Sequence, residues 1–276
     1  MNQRTDLNLW VKPTHGTEAP PLDDPLESYH EASSLYPSTM LGQGGPGAML
    51  YAPNFNPERD LGKPTTPSGH EAVRLPPPGP VPGELATALH RRRSSPQLDA
   101  SRQLSADHLS ALLAHSYGLS DPQPYGAVQS ARVAPSAGAM YPLDVLVSVR
   151  RVDGIPAGTY HYNPFMSRLE RIPTTGPEAD LSRHTVMPEL VDRASCVFFI
   201  VGSLWRCRSK YGARSYRYVL LEAGHVAQNL LLIATAQGMG GVPWGGFFDR
   251  HLNEHLGLDG LAHIALYAVS VDGAPA

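Results

Sequence analysis

Proline is crowded into the first part of this chain, where 15 of its 27 prolines occupy residues 1–82. Glycine-rich runs such as 42–47 lie in the same stretch. Because proline fixes φ and has no backbone N–H, this stretch cannot be mainly helix or central strand. We therefore predict an N-terminal arm over residues 1–82 and one folded domain over residues 83–276. Aromatic residues such as Tyr29 and Tyr51 favour an arm that wraps over the domain, since aromatics are scarce in fully disordered segments.

Charge and composition argue against several classes of partner. The 276 residues carry a formal charge of -3 and a pI near 6.4, so they lack the basic field that nucleic-acid or anionic-membrane binding relies on. The N-terminus has no charged-then-apolar signal pattern, and no apolar stretch approaches the roughly 20 residues that span a bilayer. We therefore expect a cytoplasmic protein without a nucleic-acid or membrane partner. Cys196 and Cys207 are too few for a disulfide framework and are expected to be buried or idle thiols.

Hydrophobic periodicity in the folded domain predicts both helices and strands. Leu85, Ala88 and Leu89 form the apolar face of a first helix, and Ser105 is a plausible N-cap of a second one that stops at Gly118. Helices and strands mingle without a repeating βαβ unit, which favours an α+β fold with a mixed sheet flanked by helices. The predicted elements are helices at 83–92, after Ser105 and at 216–237, the last a buried central helix, and strands at 145–149, 159–162, 168–172, 197–201 and 263–271.

The first of three clusters that could carry chemistry is basic and lies at residues 91–95. Arginine side chains adjoin serine hydroxyls there, and together a guanidinium fork and a hydroxyl can bind the oxygens of a phosphate monoester. A solvated helix end whose basic residues complement the helix dipole explains the same sequence. The residues of this cluster that we consider as ligands are Arg91, Arg92, Arg93 and Ser94.

Two further clusters are rich in small residues. Residues 132–142 place small side chains between prolines, so that the backbone can approach a flat ligand and use its amides as donors, although a tight turn explains the pattern too. Residues 238–247 are rich in glycine, and Trp244 and Phe247 there would suit a wall that stacks on a ring, or the segment is simply a loop. Taken together, the three clusters fit a phosphorylated planar cofactor.

The order and spacing of these clusters resemble the nitroreductase superfamily, and more closely its SagB-type branch of FMN-dependent azoline dehydrogenases. The resemblance extends through most of the chain and covers motifs on both sides of the clusters. The residues that carry it lie at 27–33, 73–77, 135–142, 210–218 and 221–230.

The resemblance implies a homodimer with FMN in the subunit interface. It also implies that Arg92 and Ser94 hold the phosphate. Two departures from the family pattern, Pro96 and the absence of any Lys or Arg after Arg250, leave Arg91, Arg93 or Arg132 as further phosphate ligands. The cofactor-binding residues that the resemblance adds are Pro135, Ser136, Ala137, Gly138 and Ala139 along the ring, and Gly241, Gly245 and Gly246.

The pair Lys210-Tyr211 matches a lysine-tyrosine pair that is functionally important in the azoline dehydrogenases of this branch. The resemblance implies that the substrate is a modified precursor peptide, whose thiazoline or oxazoline rings become thiazoles or oxazoles, and that a cyclodehydratase is a possible partner. Aromatising such a ring removes a proton and a hydride from neighbouring carbons, so a base must face the flavin across the substrate. Lys210, partly desolvated beside Arg206, Arg208 or Arg214, would serve as that base, with Tyr211 to orient or relay. The alternative is an ordinary exposed lysine.

Other functions stay open at this point. The same fold can reduce dehydroamino acids, nitroaromatics or quinones with a reduced nicotinamide, and a flavin-poor scaffold subunit would explain Pro96 and the missing basic residue. The segment His251–His255 matches the H-x-x-E-H zinc-protease signature, but a third ligand is not evident, so we expect no metal and a solvated helix end instead. His225, inside the predicted long helix, is expected to be a core histidine.

Overall fold

A seven-stranded sheet organises the part of the chain that the computed structural model describes, which is Tyr29 and residues 71–94, 98–120 and 131–273. Its order is β1-β4-β3-β2-β5-β7-β6. Most of the predicted arm lies outside the described residues, so the boundary at residue 82 stays a prediction. The strands are β1 (Ala72–Arg74), β2 (Leu143–Val149), β3 (Gly158–Asn163), β4 (Arg168–Arg171), β5 (Cys196–Ser203), β6 (Gly241–Trp244) and β7 (His263–Val271).

The α+β class is confirmed, but the sheet is antiparallel where we expected a mixed one. All six pairings between the named strands are antiparallel. The connections between the strands explain this direction. Strands β2, β3 and β4 follow one another as hairpins. The long helical connection after β5 leads to β6, which pairs with β7 and not with β5. Parallel pairing is found in isolated bridges outside the named strand pairs, one of which joins Ser94 to Gly241.

The helices flank this sheet, and the predicted caps of the second one are present. Ser105 Oγ accepts a hydrogen bond from His108 N at 3.1 Å, as an N-cap side chain does. Gly118 ends the helix with an ordinary φ of -69°, and a Cβ added there would overlap the carbonyl oxygen of Ala114, so close approach requires the glycine. The helices are α1 (Leu85–Arg91), α2 (Ala106–Tyr117), α3 (Pro188–Asp192), α4 (Leu204–Tyr211), α5 (Ser215–Ala236) and α6 (Asp249–His255).

Strand β5 is buried on both of its faces, as its continuous apolar sequence predicts. Phe198 and Ile200 point into the core shared with α2 and α5, whereas Val197, Phe199 and Val201 point into a second core shared with α3 and α6. Alternating side chains along one strand therefore join the two cores.

Helix α5 spans 22 residues and is only partly the fully buried helix that we expected. One face packs on α2 and the sheet, but Leu221 is 62% exposed and both Leu220 and His225 are exposed as well. The core assignment of His225 is therefore wrong. By length and composition alone, the segment Gly212–Ala236 would be long enough for a membrane span, contrary to our reading of the sequence; burial of half of it in the core accounts for its apolar character.

Helix α1 also turns part of its apolar face outward. We expected Leu85, Ala88 and Leu89 to be buried together, but Leu85 is 67% and Leu89 51% exposed, and only Ala88 is buried. The helix is short and packs against α5, which covers one stripe of it. The exposed leucines of α1 and α5 form an apolar surface that no other segment covers within the described part of the chain.

We expect Phe198→Ala to lower the free energy of unfolding by about 3–5 kcal/mol, because it deletes a fully buried ring from the central strand. Urea unfolding followed by circular dichroism measures this. Phe248→Ala is the control, since Phe248 is about half exposed and its loss should cost less than about 1 kcal/mol. Equal losses in the two variants would contradict the two-core arrangement around β5.

Candidate functional site

The loop between α2 and β2 contains the residues 135–139 that we expect along a flavin ring. Its backbone has three residues in the left-handed region, with φ of 57° at Gly138, 55° at Ala139 and 45° at Tyr141. This conformation is uncommon for residues with a Cβ and persists where surrounding contacts hold it. Pro135 and Gly138 are exposed, so the outer surface of the loop is open to a ligand.

A buried carboxylate on α5 lies beneath this loop. Glu222 is 2% exposed, and its Oε2 accepts a hydrogen bond from Ser136 Oγ at 2.5 Å while its Oε1 accepts one from Tyr117 Oη at 2.7 Å. The same two hydroxyls accept from backbone amides of the loop's far end, Ser136 from Tyr141 N at 2.9 Å and Tyr117 from Leu143 N at 3.3 Å. One carboxylate thus connects both ends of the loop to α2 and α5.

Burial changes the acidity of this group and of its neighbour. Desolvation raises the pKa of Glu222 to about 7, although hydrogen bonds from Ser136 and Tyr117 and the charge of Arg132 pull it down. Burial, and then the nearby Glu222 charge, raise the pKa of Tyr117 well above its usual value, so this hydroxyl stays a donor. The site therefore contains a carboxyl group that titrates near neutral pH.

The predicted catalytic pair meets the loop at Gly138. A Cβ added at Gly138 would overlap Tyr211 Oη and lie 2.5 Å from Lys210 Nζ, so both polar ends reach the same backbone position. Lys210 is half-buried and its Nζ lies 5.4 Å from the centre of the Tyr211 ring, whose edge contact with Tyr218 spans 4.9 Å. Burial raises the pKa of Tyr211. The structure thus brings together residues that are more than 70 positions apart in the sequence.

Helix α4, which carries the pair, is fixed to the sheet by a buried ion pair. Arg206 contacts both carboxylate oxygens of Asp144, each at 3.1 Å, and Ser203 donates to the same carboxylate at 3.0 Å. Burial alone would raise the pKa of Asp144, but Arg206 and His161 outweigh it and hold that pKa below its usual range. Bidentate pairs of this kind fix direction as well as distance.

The three arginines that we expected beside Lys210 have other contacts in the structure. Arg206 faces Asp144, Arg208 stacks over Trp205 with its guanidinium 5.0 Å from the ring centre, and Arg214 donates to Tyr218 Oη at 3.3 Å. Arg206 therefore fixes α4 to the sheet through Asp144.

The predicted phosphate residues lie at the end of α1. Arg92 donates to Ser94 Oγ at 3.1 Å, and Ser94 forms its bridge with Gly241 at the start of β6, which unites three of the predicted cofactor residues. Arg91 is exposed, and Arg93 donates to the carbonyls of His90 and Arg92. Pro96 lies outside the described residues.

Arg132 lies elsewhere, beside the ring-lining loop. It is buried, its guanidinium is 4.4 Å from the centre of the Tyr117 ring, and it donates to Tyr117 O at 3.3 Å. The structure therefore groups Arg132 with Glu222 and not with Arg92 and Ser94.

The glycine-rich segment after α5 is partly a core element. Gly246 O accepts hydrogen bonds from Thr185 Oγ1 and Val186 N, both at 2.9 Å, while Gly245 has open space around it. Trp244 and Phe247 are buried in the second core with an edge contact of 6.1 Å, so the expected ring-stacking wall is wrong. Their apolar surface is already used by the core.

Tyr29 brings the predicted arm to the same region. Its hydroxyl donates to Ala213 O at 3.4 Å, and its ring makes an edge contact of 5.6 Å with Tyr216. Ala213 lies in the turn that follows Lys210-Tyr211, and Tyr216 lies in the first turn of α5. At least one arm residue therefore contacts the segment that follows the catalytic pair.

The zinc-type motif on α6 shows no metal geometry in the described part of the chain, where no group of three His, Cys, Asp or Glu side chains could hold an ion. We expected a solvated helix end, and this is wrong for His255. Its side chain is 2% exposed, and its ring centre lies 4.9 Å from that of His184. Cys196 and Cys207 are both buried, as predicted, and burial raises the pKa of Cys207 to about 12.

The sequence reasoning assigned no role to Glu222 or Tyr117. A signal was present, because Glu222 lies three positions after Val219 and four before Val226, on the apolar stripe of the helix. A carboxylate on a buried stripe is uncommon, because burial of a charge requires compensating partners. Tyr117 had no comparable signal, because a buried tyrosine at a helix end is common.

Comparison with known proteins gives a consistent family. The sequence model of the nitroreductase family matches residues 89–273. The chain is similar to MJ1384 of Methanocaldococcus jannaschii, a protein with a nitroreductase name, at 36% identity over 173 residues. That match covers 63% of this chain and 84% of the relative.

Two peptide-processing proteins are also similar. The microcin B17-processing protein McbC of Escherichia coli is 29% identical over 164 residues, and the trifolitoxin-processing protein TfxB of Rhizobium leguminosarum is 31% identical over 147. These matches cover 57% and 50% of this chain. The chain spans 58% of the length of McbC and 39% of that of TfxB.

Solved structures share the fold. A Ralstonia eutropha protein with a nitroreductase name superposes with a TM-score of 0.61 at 24% identity, over 78% of this chain and 95% of that one. The E. coli microcin synthetase McbBCD complex with truncated pro-MccB17 bound gives 0.56 at 20% identity, over 95% and 85%. At these identities the likeness shows the fold alone.

We expect Glu222→Gln to remove one pH dependence of stability. In the native protein the pKa rises from 4.5 to about 7, so the folded state binds more protons and the free energy of unfolding falls as pH rises between these values. The loss attributable to Glu222 is about 3 kcal/mol, complete above pH 7. Urea unfolding of both proteins at pH 5 and pH 8 measures the difference, and parallel pH dependence in the two would contradict it.

Proposed function

Because the chain belongs to the nitroreductase family, we propose that it is an FMN-dependent dehydrogenase that oxidises azoline rings in a ribosomally made peptide. The observation that carries this proposal is the meeting of Lys210 Nζ and Tyr211 Oη at Gly138, in the loop expected along the flavin ring. Membership of the nitroreductase family by itself implies only an oxidoreductase. The lysine-tyrosine pair is the feature that azoline oxidation requires and simple reduction does not.

The residues present fit an FMN group in two places. Arg92 and Ser94 present a guanidinium and a hydroxyl that are 3.1 Å apart and reachable from solvent, as a phosphate ester requires. The exposed backbone at Pro135 and Gly138 is accessible to the ring, and Gly138 has no side chain to block its approach. When bound, the flavin supplies the two-electron acceptor of the oxidation.

The chain's own residues handle the proton. Oxidation of an azoline to an azole removes one ring proton and one hydride, and Lys210, in its neutral form, takes the proton on Nζ. Tyr211 stays protonated because burial raises its pKa, so it acts as a donor that orients the ring or the amine. The Arg206–Asp144 ion pair keeps α4, and with it both side chains, directed at the loop.

We further propose that two copies of the chain complete the site. The ring-type residues lie near Glu222, and the phosphate-type residues lie near Gly241, which packs on Leu231. About 14 Å of helix axis separates Glu222 from Leu231, at 1.5 Å per residue. A second copy that covers the exposed leucines of α5 would place its phosphate-type residues beside the ring-type residues of this chain. By symmetry, the phosphate-type residues of this chain would complete the site of the second copy.

The names of the peptide-processing relatives support a modified precursor peptide as the substrate, and the McbBCD complex with bound pro-MccB17 supports assembly with other subunits. A cyclodehydratase is the partner that we propose for this chain. The relative with a nitroreductase name supports the second candidate, reduction of a small molecule with a reduced nicotinamide. The two candidates differ in the direction of electron flow.

We expect the purified protein to show the visible absorbance of bound FMN and to convert a thiazoline peptide to the thiazole. Lys210→Met should lower turnover by about 100-fold or more, because it removes the base, and should leave the flavin band intact. Tyr211→Phe should lower turnover less, since only the hydroxyl is lost. Mass spectrometry detects the loss of two hydrogens per ring.

Arg208→Met is the matched control, because Arg208 lies on the same helix but stacks on Trp205 and faces solvent. Full activity of Lys210→Met would contradict the proposed base. Bleaching of the flavin by reduced nicotinamide, without azoline turnover, would favour the reductase. A colourless protein after reconstitution with FMN would favour a scaffold role.

We expect Leu221→Glu to convert a dimer to a monomer that no longer retains FMN, because it places a charge on the exposed apolar face of α5. Analytical ultracentrifugation and absorbance measure the two effects. Leu261→Glu is the control, since Leu261 is more exposed still but lies in the loop before β7. Retention of both dimer and flavin by Leu221→Glu would exclude this face as the interface.

A further inference from the structure

We propose that Glu222 is the positioning residue of this site: its carboxylate holds the loop from Ser136 to Leu143 in the shape that meets Lys210 and Tyr211. The inference deepens the proposed function and rests on it for the identity of the reaction. The anchoring itself is a property of this chain's own contacts.

The Glu222 carboxylate is connected through two hydroxyls to two backbone amides of the loop. Each oxygen of the Glu222 carboxylate accepts from one hydroxyl, and each hydroxyl in turn accepts from one loop amide, Tyr141 N through Ser136 and Leu143 N through Tyr117. Because an ionised carboxylate is acceptor-only, it forces both hydroxyl protons toward itself and frees both hydroxyl oxygens to accept. Removal of the carboxylate would undo both relays together.

The backbone of this loop has an uncommon conformation. Ala139 and Tyr141 have φ of 55° and 45°, which residues with a Cβ seldom adopt. Such conformations persist where the surroundings over-determine them, and the relay from Glu222 ends on Tyr141 itself. The contact point for the catalytic pair, Gly138, lies inside this span. Displacement of the loop would therefore move the surface that Lys210 and Tyr211 face.

The Glu222 carboxyl group changes its hydrogen-bonding character near neutral pH. The groups that face Glu222 are Tyr117 from α2, Arg132 from the segment before the loop and Cys207 from α4. Burial raises the pKa of Glu222 to about 7, whereas the hydrogen bonds from Ser136 and Tyr117 and the charge of Arg132 lower it, so those hydrogen bonds favour the ionised form. A proton on one carboxyl oxygen turns an acceptor into a donor, so the loop should be held more firmly at pH 8 than at pH 6.

Amide hydrogen exchange of the flavin-free, full-length chain tests the anchor directly. We expect Glu222→Ala to lower the protection factors of Tyr141 and Leu143 by about tenfold or more, because a charge-assisted relay is lost at each. Ser136→Ala should lower the protection of Tyr141 and spare Leu143. The native protein should lose protection at both amides between pH 8 and pH 6, and Glu222→Gln should show no such pH step.

Asn229→Ala is the matched control. Asn229 joins the same two helices, α5 and α2, through a 3.2 Å hydrogen bond to Ser116 O, but it has no bond to the loop. Unchanged protection of Tyr141 and Leu143 in Glu222→Ala, or an equal loss in Asn229→Ala, would overturn the proposal. If Glu222→Ala does not fold, Glu222→Gln and Ser136→Ala give the same decision.

Kinetics of the FMN-loaded enzyme separate positioning from general stability. Glu222→Gln should lower kcat about tenfold with little change in KM for the peptide, and the kcat profile should lose a step near pH 7. A native protein that binds no FMN would defeat the proposed function but leave the exchange result valid. The positioning role would be overturned if the exchange effects occur as expected but Glu222→Gln has the same pH profile of kcat as the native protein.

Discussion

The burial of helix α5 against the sheet is the constraint on which the rest of this structure depends. Its inner face supplies much of the core shared with α2, its single buried carboxylate reaches the loop before β2, and its outer face exposes Leu220 and Leu221. The same helix therefore contributes to the stability of the core, to the candidate site and to the surface available for assembly. Few substitutions on it can affect one of these without affecting another.

Much of the fold could be predicted from periodicity and caps. The continuous apolar run of β5, the Ser105 cap of α2, the strands β3 and β4 and the length of α5 all appear where the local sequence predicts them. These features are encoded locally, because each depends on residues within a few turns or one strand. Sheet direction is not local, and there the expectation of a mixed sheet was wrong. The exposed faces of α1 and α5 were missed for a similar reason, since an apolar stripe does not say whether its own chain covers it.

The candidate site could be predicted only in part. The clusters at residues 91–94, 135–139 and 210–211 were found as separate motifs, but their grouping depends on tertiary contacts. The structure joins Lys210 and Tyr211 to Gly138, and joins Ser94 to Gly241, whereas Arg132 belongs with Tyr117. Trp244 and Phe247 show the converse error, because aromatic residues beside glycines look like a ligand wall until the core that they fill is known. Glu222 carried a signal of its own, a charge on a buried stripe.

Strand β6 forms one margin of the sheet, and proline occupies its third position. Pro243 has no N–H to offer, and the parallel bridge from Ser94 already occupies the strand's first residue, Gly241. An incoming strand would therefore find neither a regular row of donors nor a free end to pair with. Pairing of a further strand is therefore disfavoured at this margin, which protects the chains there against edge-to-edge aggregation.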